Sequence, residues 1–174
     1  MILAVDGGNS KTDLALVDSD GRLLAALRGP TTSHQQIGFE PGIERMAELV
    51  ADLRNAAGVT SDAPAQVGVY GLAGADTPAD TRRLAAALGR RGLAADVVVV
   101  NDAFTPIRAG AEHGWGVALI CGQGVNAAGI APDGHRRTHA RQRAQMPGKP
   151  KSRGASSTSG AVVVTSASRH REPA

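Results

Sequence analysis

The stretch that decides the fold lies near the start of the chain and reads Val5-Asp6-Gly7-Gly8-Asn9-Ser10-Lys11-Thr12-Asp13-Leu14-Ala15-Leu16-Val17. An apolar run at 2–5 precedes its acid and two glycines, and a second apolar run closes it. Two short apolar runs around a Gly-rich turn predict a β-hairpin. Because few side chains shield its backbone N–H groups, such a turn suits a phosphate. An ordinary flexible hairpin tip is the alternative interpretation.

Charged residues flank this turn. Asp6 stands at its mouth, where a carboxylate can hold Mg²⁺ or its waters, and Lys11 adds a positive charge. The turn is not a P-loop, because that motif requires Gly-x-x-x-x-Gly-Lys-Ser/Thr leading into a helix. It is not the dinucleotide-binding pattern either, because a strand follows it instead of a helix. Residue types and spacing favour a nucleotide-phosphate site.

Length and composition set the broad class. The chain has 174 residues, enough for one domain of ordinary size. Aromatic residues make up only 2% of it, so the core must rest on Ala, Val, Leu and Ile. No apolar run approaches the roughly 18 residues of a membrane span, and no secretory signal is visible, so we expect a cytoplasmic protein without a membrane partner. The single cysteine, Cys121, excludes an intrachain disulfide and a multi-cysteine metal site.

The first 134 residues alternate between strand and helix patterns. Short apolar runs predict strands at 2–5, 11–17, 22–28, 66–70, 97–100, 115–121 and 125–131. Apolar residues at a helical period predict helices at 40–57, from Thr77 and Pro78 to about Arg91, and at 103–111. The run at 97–100 lacks alternation, which is typical of a parallel strand covered on both faces. The order βββαβαβα predicts an α/β fold with a mixed five-stranded sheet flanked by helices.

Residues 135–174 break this pattern. They carry nine Lys or Arg and one acid, Glu172, whereas residues 1–134 have a net charge of −5. Residues 135–160 show no strand or helix period, and the brief apolar run at 161–165 has no evident pairing partner. We therefore predict a disordered basic tail, because such a composition cannot offset its ordering entropy by apolar burial. A nucleic-acid-binding arm is the alternative, and the lack of aromatic stacking residues argues against it.

The first 133 residues resemble the N-terminal part of the N-acetylglucosamine kinase and BadF/BadG/BcrA/BcrD ATPase family, within the sugar kinase, Hsp70 and actin superfamily. Four motifs in order carry the resemblance: 6–13 as quoted above, Gly71-Leu72-Ala73-Gly74-Ala75-Asp76, Val97-Val98-Val99-Val100-Asn101-Asp102-Ala103, and Gly114-Trp115-Gly116-Val117 through Cys121-Gly122-Gln123-Gly124-Val125-Asn126. The resemblance implies a ribonuclease H-like, actin-type ATPase lobe over 1–113. It also implies the first hairpin of a truncated second lobe over 114–134, before the basic tail at 135–174.

The resemblance implies an ATP-dependent sugar kinase that uses ATP and Mg²⁺. Asp102 follows the carboxyl end of a parallel strand and corresponds to the family's general base toward an amino-sugar hydroxyl. A helix N-cap is its alternative, compatible role. Two loops correspond to the phosphate-binding loops, with Asp6 assisting Mg²⁺ through water; their residues are Asp6, Gly7, Gly8, Asn9, Ser10, Lys11, Thr12, Gly122, Gln123 and Gly124. The implied substrate contacts are Ser33, His34, Asp76, Asn101 and Asp102.

Three positions depart from the family's pattern. Asn9 replaces the third glycine of the first loop, Ser33 replaces an Asn that often precedes the histidine, and Gln123 replaces a Thr common in N-acetylglucosamine kinases. The particular sugar therefore stays open, as does a family homodimer, which the sequence does not support. After residue 134 the family's substrate segment and adenosine loop are not recognisable. Our hypothesis is that 135–174 is out-of-frame sequence and that this chain alone has no appreciable kinase turnover.

Two other functions stay open beside the truncated kinase. A dehydratase-activating ATPase has the same fold but needs cysteines for a bridging iron–sulfur cluster, and a single Cys121 argues against it. The second alternative function is a non-enzymatic module whose basic tail binds nucleic acid. Salt-dependent binding that is lost on deleting 135–174 would support that module.

Overall fold

The computed structural model describes residues 1–59, 64–121, 125–141 and 160–164. The chain divides into two compact units, Met1–Asp102 (unit 1) and Ala103–Ala174 (unit 2). The division falls earlier than the predicted boundary after residue 113. Within the described residues, no helix is both long and apolar enough to cross a membrane.

Unit 1 is built on a mixed five-stranded sheet, as predicted. Its spatial order is β3-β2-β1-β4-β5. β2 pairs antiparallel with β1 and β3, whereas β4 pairs parallel with β1 and β5. The strands are β1 (Ile2–Gly7), β2 (Lys11–Val17), β3 (Leu23–Pro30), β4 (Ala65–Leu72) and β5 (Ala94–Asn101).

Three helices accompany this sheet: α1 (His34–Ile37), α2 (Phe39–Ala56) and α3 (Pro78–Arg90). The sequence predicted α2 and α3 and missed α1, which spans a single turn. α3 begins at the Thr77 N-cap, whose side chain forms a reciprocal capping box with Asp80. One hydrophobic core unites α2, α3 and one sheet face, with Leu3, Leu16, Leu53 and Leu88 almost completely buried. Tyr70 is fully buried in this core, and its burial raises the pKa of the hydroxyl to about 12.

The opposite face of the sheet differs from the sequence-based expectation. Ala4, Val69 and Val98 lie in register across β1, β4 and β5 and so point to one side. Val69 is 38% exposed and Val98 is 45% exposed. The expectation of a strand covered on both faces was wrong for the described residues, because α2 and α3 contribute to the same core on the other face.

Unit 2 has a second, antiparallel sheet in the order β8-β7-β6-β9. A 3-10 turn (Asp102–Phe104) leads into α4 (Thr105–Gly110), where one helix was predicted over 103–111. The strands are β6 (Gly116–Cys121), β7 (Val125–Ile130), β8 (Arg136–Arg141) and β9 (Gly160–Val164). Among the residues whose burial is described, the fully buried part of its core consists of Ile107, Ala103, Ala111, Ala118 and Ala128, and the partly buried Phe104, Ile120 and Ile130 pack against them.

Two of these strands lie in the segment that was predicted to be a disordered tail. β8 pairs with β7 through a tight turn in which the Ala131 N–H donates to the His135 carbonyl (2.9 Å). The dipeptide Asp133-Gly134 is a turn signal, and Gly134 adopts φ +82° there. β9 pairs with β6, and Val164 lies opposite Val117. The prediction missed both strands because main-chain pairing does not require the apolar alternation on which it relied; the rest of 142–174 lies outside the described residues.

Candidate functional site

Four loops meet at one edge of the unit 1 sheet. β1, β3, β4 and β5 all run in the same direction, since β1 and β3 are each antiparallel to β2. Their carboxyl ends therefore lie at one edge, where open α/β sheets place their ligands. The loops that follow them carry Gly8 to Ser10, Thr31 to Gln36, Ala73 to Asp76, and Asp102.

The first loop closes the hairpin that the sequence predicted. The Gly8 N–H donates to the Lys11 carbonyl (3.0 Å), so this N–H serves the turn itself. The Gly7 carbonyl accepts from the Ala73 N–H (2.8 Å), which ties the turn to the loop after β4. A Cβ on Gly7 would lie 2.7 Å from Leu72 Cδ2, so glycine permits this close approach.

An ion-pair cluster lies beside the turn of the hairpin. Lys11 Nζ contacts Asp13 Oδ2 (2.5 Å), and the Arg28 guanidinium donates to both oxygens of the same carboxylate. The hydrogen bond from Arg28 is the main cause that lowers the pKa of Asp13 below its usual value. The positive charge of Lys11, predicted to face a phosphate, is thus paired within the hairpin.

Hydroxyl groups join the first loop to the loop after β3. Thr12 is fully buried, and its Oγ1 accepts from the Thr32 N–H (3.1 Å) and contacts Thr32 Oγ1 (3.0 Å). Thr31 Oγ1 donates to the Gly8 carbonyl (2.8 Å), and Ser33 Oγ donates to Asn9 Oδ1 (2.6 Å). The Thr12 side chain, predicted to contact the nucleotide, therefore holds two loops together instead of facing outward.

Gly74 makes room for His34. It has φ +84°, a left-handed conformation that favours glycine. A Cβ at Gly74 would lie 2.4 Å from His34 Cε1 and 3.1 Å from Gln35 Cδ. The Phe39 ring meets the His34 ring edge-on, with 6.0 Å between centroids. The imidazole is therefore held between the loop after β4 and the start of α2.

A carboxylate and two amides connect the remaining loops. Asn101, which is only 8% exposed, donates from Nδ2 to Asp76 Oδ1 (2.7 Å). Gln35 Nε2 donates to the other oxygen, Asp76 Oδ2 (3.3 Å). Asp76 thus fixes the side chain of Asn101, the residue immediately before Asp102. Asp102 itself is half-buried and begins the 3-10 turn after β5.

Most of the predicted site residues therefore come together at this edge. The loops bring together Asn9, Ser33, His34, Asp76 and Asn101, with Asp102 next in the chain. Gly122, Gln123 and Gly124, the predicted second phosphate loop, lie outside the described residues. Sequence reasoning missed Thr31, Thr32 and Gln35 as members of this network. The run Thr31-Thr32-Ser33 was the available signal, since consecutive hydroxyls after a strand bond readily to nearby backbone.

The carboxylates suit Mg²⁺ only in a water-mediated role. Among the described residues, no three His, Cys, Asp or Glu side chains cluster as a metal-binding group. Asp6 is exposed at the end of β1, and its cross-strand neighbour Asp13 is bonded to Lys11 and Arg28. Mg²⁺ keeps several waters and usually takes one or two carboxylates plus substrate phosphates, a pattern that Asp6 fits.

Comparisons with known proteins agree with the fold. No family model matches the chain. An N-acetyl-D-glucosamine kinase from Dictyostelium discoideum is 25% identical over 147 residues, covering 77% of this chain and 44% of that protein. A Chromobacterium violaceum structure, provisionally assigned as an N-acetylglucosamine kinase, is 26% identical with a TM-score of 0.60, covering 79% of this chain and 47% of its own. A Porphyromonas gingivalis structure with the same provisional assignment is 23% identical with a TM-score of 0.63, covering 80% and 47%.

These likenesses identify the class first: the chain has the mixed α/β fold of the sugar kinases, the actin-like ATPase fold. Within that class they confirm the predicted resemblance to the N-acetylglucosamine kinases, over part of the chain. The chain spans less than half the length of these three relatives.

Proposed function

We propose that this chain provides a lobe of an ATP-dependent amino-sugar kinase, with Asp102 as the general base. The observation that carries the proposal is the hydrogen-bond network that links the strand-end loops and reaches Asn101, the residue before Asp102. The similarity to N-acetylglucosamine kinases supports the substrate class. ATP as the phosphate donor is supported by the fold shared with a Streptomyces griseus glucokinase that was solved with glucose and AMPPNP, 20% identical with a TM-score of 0.51.

The position of Asp102 suits a general base. A base must lie within hydrogen-bond reach of the hydroxyl whose proton it accepts, and geometry matters more than its pKa. In the proposed reaction, Asp102 orients the sugar hydroxyl and takes its proton as the oxygen attacks the γ-phosphorus. The bond from the γ-phosphorus to the bridging oxygen of the β-phosphate breaks, and ADP leaves with that oxygen. Because phosphoryl transfer depends mainly on positioning and charge stabilisation, the rigid placement of Asp102 is its main contribution.

The sugar side of the site is polar. His34, Gln35 and Asn101 provide an imidazole and two amides, and the Asp76 carboxylate is occupied by the two amide donors. Such groups match the hydroxyls and the acetamido group of an amino sugar. Loss of a partner for a buried polar group costs binding energy, so this edge would discriminate against sugars that lack those groups.

The phosphate side rests on the first loop. Gly8 has room for a close approach, because a Cβ there would lie 3.6 Å from the nearest other atom, and Ser10 is exposed in the same turn. Asp6 would hold Mg²⁺ through its waters, and the ion would neutralise charge on the phosphate oxygens. Gly122, Gln123 and Gly124 are proposed as the second phosphate loop.

A ligand titration followed by nuclear magnetic resonance tests this function. The ¹⁵N-labelled 174-residue chain is titrated with N-acetylglucosamine, with galactose as a comparison sugar, and separately with Mg²⁺–AMPPNP. We expect N-acetylglucosamine to shift signals of residues 31–36, 74–76 and 101–102, and the nucleotide to shift those of residues 7–12. If neither ligand moves these signals, the proposal is contradicted.

Asp102→Asn separates binding from chemistry. The amide keeps the size of the side chain but cannot accept the hydroxyl proton. The Kd for the sugar should therefore change by no more than about threefold, a smaller effect than the loss of a typical neutral hydrogen bond. Any sugar-dependent ADP release from the wild-type chain should disappear in this variant. Turnover that survives Asp102→Asn would exclude Asp102 as the base.

A further inference from the structure

Three side chains, one from each helix of unit 1, form a stack that reaches the candidate site. The Arg83 guanidinium, on α3, lies over the face of the Phe39 ring, with 3.9 Å between Cζ and the ring centroid. Phe39 is the first residue of α2, and its ring meets the His34 imidazole of α1 edge-on. The proposed function uses His34, whereas Arg83 and Phe39 have no role in it so far.

The start of α2 is tied to the loop after β3. A Cβ on Gly42 would lie 2.5 Å from the Thr32 carbonyl oxygen, so glycine lets the first turn of α2 pack directly on the backbone of that loop. Arg45 donates from Nη1 to the Thr31 carbonyl (2.9 Å). The first two turns of α2 and the loop after β3 are therefore held together, and what orients the start of α2 also orients this loop.

The start of α3 lies close to the same loop. The hydrogen bond from the Thr77 side chain is the main cause that lowers the pKa of Asp80, and the charges of His34 and Arg83 lower it further. Asp80 also completes the capping box that begins α3. The capped first turn of α3 is thus within electrostatic reach of both ends of the stack.

The contact between Arg83 and Phe39 is suited to orienting a ring. A guanidinium over an aromatic face is attracted by the negative charge of that face, and at an exposed site this biases the stacked arrangement by about two- to fivefold. Arg83 is exposed, and Phe39 is partly buried against the core of unit 1. The core therefore anchors one part of the Phe39 side chain, while Arg83 selects the orientation of its ring.

We propose that Arg83 and Phe39 are positioning residues for His34 and thereby set the affinity of the site for its amino sugar. Arg83 holds the Phe39 ring, the ring holds the imidazole, and Gly74 leaves the space that the imidazole occupies. A preoriented imidazole loses less conformational freedom when it bonds to a sugar oxygen, so the sugar binds more tightly. This inference rests on the proposed amino-sugar kinase function, and neither positioning residue touches the sugar in it.

Arg83→Gln is the decisive variant, because it removes the cation from an exposed residue and leaves the core intact. We expect the Kd for N-acetylglucosamine to rise about threefold. In the sugar-free chain, the imidazole ring signals of His34 should shift while the amide signals of β1, β4 and β5 stay in place. Arg82→Gln makes the same chemical change at the neighbouring exposed residue of α3 and should alter neither the Kd nor the His34 signals.

Two Phe39 variants test the ring itself. Phe39→Leu keeps an apolar side chain against the core but removes the aromatic face, so we expect the sugar Kd to rise about fivefold. Phe39→Tyr keeps that face and should bind within about twofold of the wild type. Because Arg83 acts through the ring, Arg83→Gln should have no further effect on the Kd in the Phe39→Leu background.

The possible outcomes separate this inference from the proposed function. If sugar moves the His34 and Asn101 signals but Arg83→Gln and Phe39→Leu bind it as well as the wild type, the inference is overturned and the proposed function stands. If the effects of the two changes add in the double variant, Arg83 does not act through Phe39 and the inference is again overturned. If no sugar binds the wild-type chain, both are overturned.

Discussion

The two units of the chain differ in what stabilises them. The core of unit 1 is built from large side chains such as Leu3, Leu53, Met46 and Tyr70, whereas the described core of unit 2 consists of Ile107 and four alanines. Since burial contributes about 0.8 kcal/mol per CH₂ group, an alanine-rich core provides much less stabilisation. We infer that the core able to hold a site in a fixed geometry is the core of unit 1. The described candidate residues lie in the same unit.

The largest expected effect separates the two cores directly. Leu53 and Ile107 are both fully buried, one in each unit. Leu53→Ala should destabilise unit 1 by about 2–5 kcal/mol through lost transfer energy and a cavity. Ile107→Ala should accelerate amide hydrogen exchange in β6 and β7 while β1, β4 and β5 keep their protection. If either variant reduced hydrogen-exchange protection equally in unit 1 and unit 2, the two cores would not be independent and this prediction would be wrong.

Gly74→Ala should have the next largest effect. A residue with a Cβ at φ +84° costs about 1–2 kcal/mol, and the new Cβ would also displace His34. Gly21→Ala is the matched control, because Gly21 has the same φ with nothing within 4 Å of its Cβ position. Thermal unfolding should show a larger loss for Gly74→Ala, and only this variant should weaken sugar binding. Identical losses would mean that the His34 contact is unimportant.

A smaller effect is expected at the start of α3. Thr77 Oγ1 accepts from the Asp80 N–H (3.2 Å) and completes the capping box. Thr77→Ala should therefore cost about 1 kcal/mol in urea unfolding, with the slope m unchanged. Thr77→Ser keeps the hydroxyl and should lose only a fraction of that amount. A Thr77→Ser variant as unstable as Thr77→Ala would show that packing, not capping, matters here.

The smallest effect is a pH dependence. Because Arg28 lowers the pKa of Asp13 in the folded state, this carboxylate stabilises the fold above its unfolded pKa, near the usual value of 3.8. The contribution is lost as the pH falls through the lower, folded-state pKa. Asp13→Asn should therefore be slightly less stable than wild type at pH 7, and the difference should vanish in strong acid. A difference that grows as the pH falls would contradict this sign.

Local patterns predicted much of unit 1. The apolar runs at 2–5 and 11–17 and the helical period of α2 reflect burial on one face, so periodicity revealed the βββαβαβα order. The Ser33–Asn9 contact could not be predicted, because it joins residues 24 positions apart through side chains that have many local alternatives. The role of Thr12 was missed for the same reason, since its side chain bonds to Thr32, 20 positions later in the loop after β3.

Unit 2 was harder to predict from sequence. β8 is rich in Arg, Thr and His, so its composition matches a solvated segment as well as an edge strand. β9 pairs with residues that lie 39 to 47 positions earlier in the chain, and local periodicity carries no information on such a partner. The strand pairing, not a hydrophobic pattern, distinguishes these segments from a tail.

Hydrogen exchange of the full 174-residue chain, with and without N-acetylglucosamine, tests the central claim most directly. The account predicts that β1, β4 and β5 are the most protected segments and exchange at rates set by global unfolding of unit 1. It also predicts that the sugar slows exchange at residues 31–37 and 73–76. Stronger protection in β6 and β7 than in unit 1, or a sugar effect absent from these loops, would contradict it.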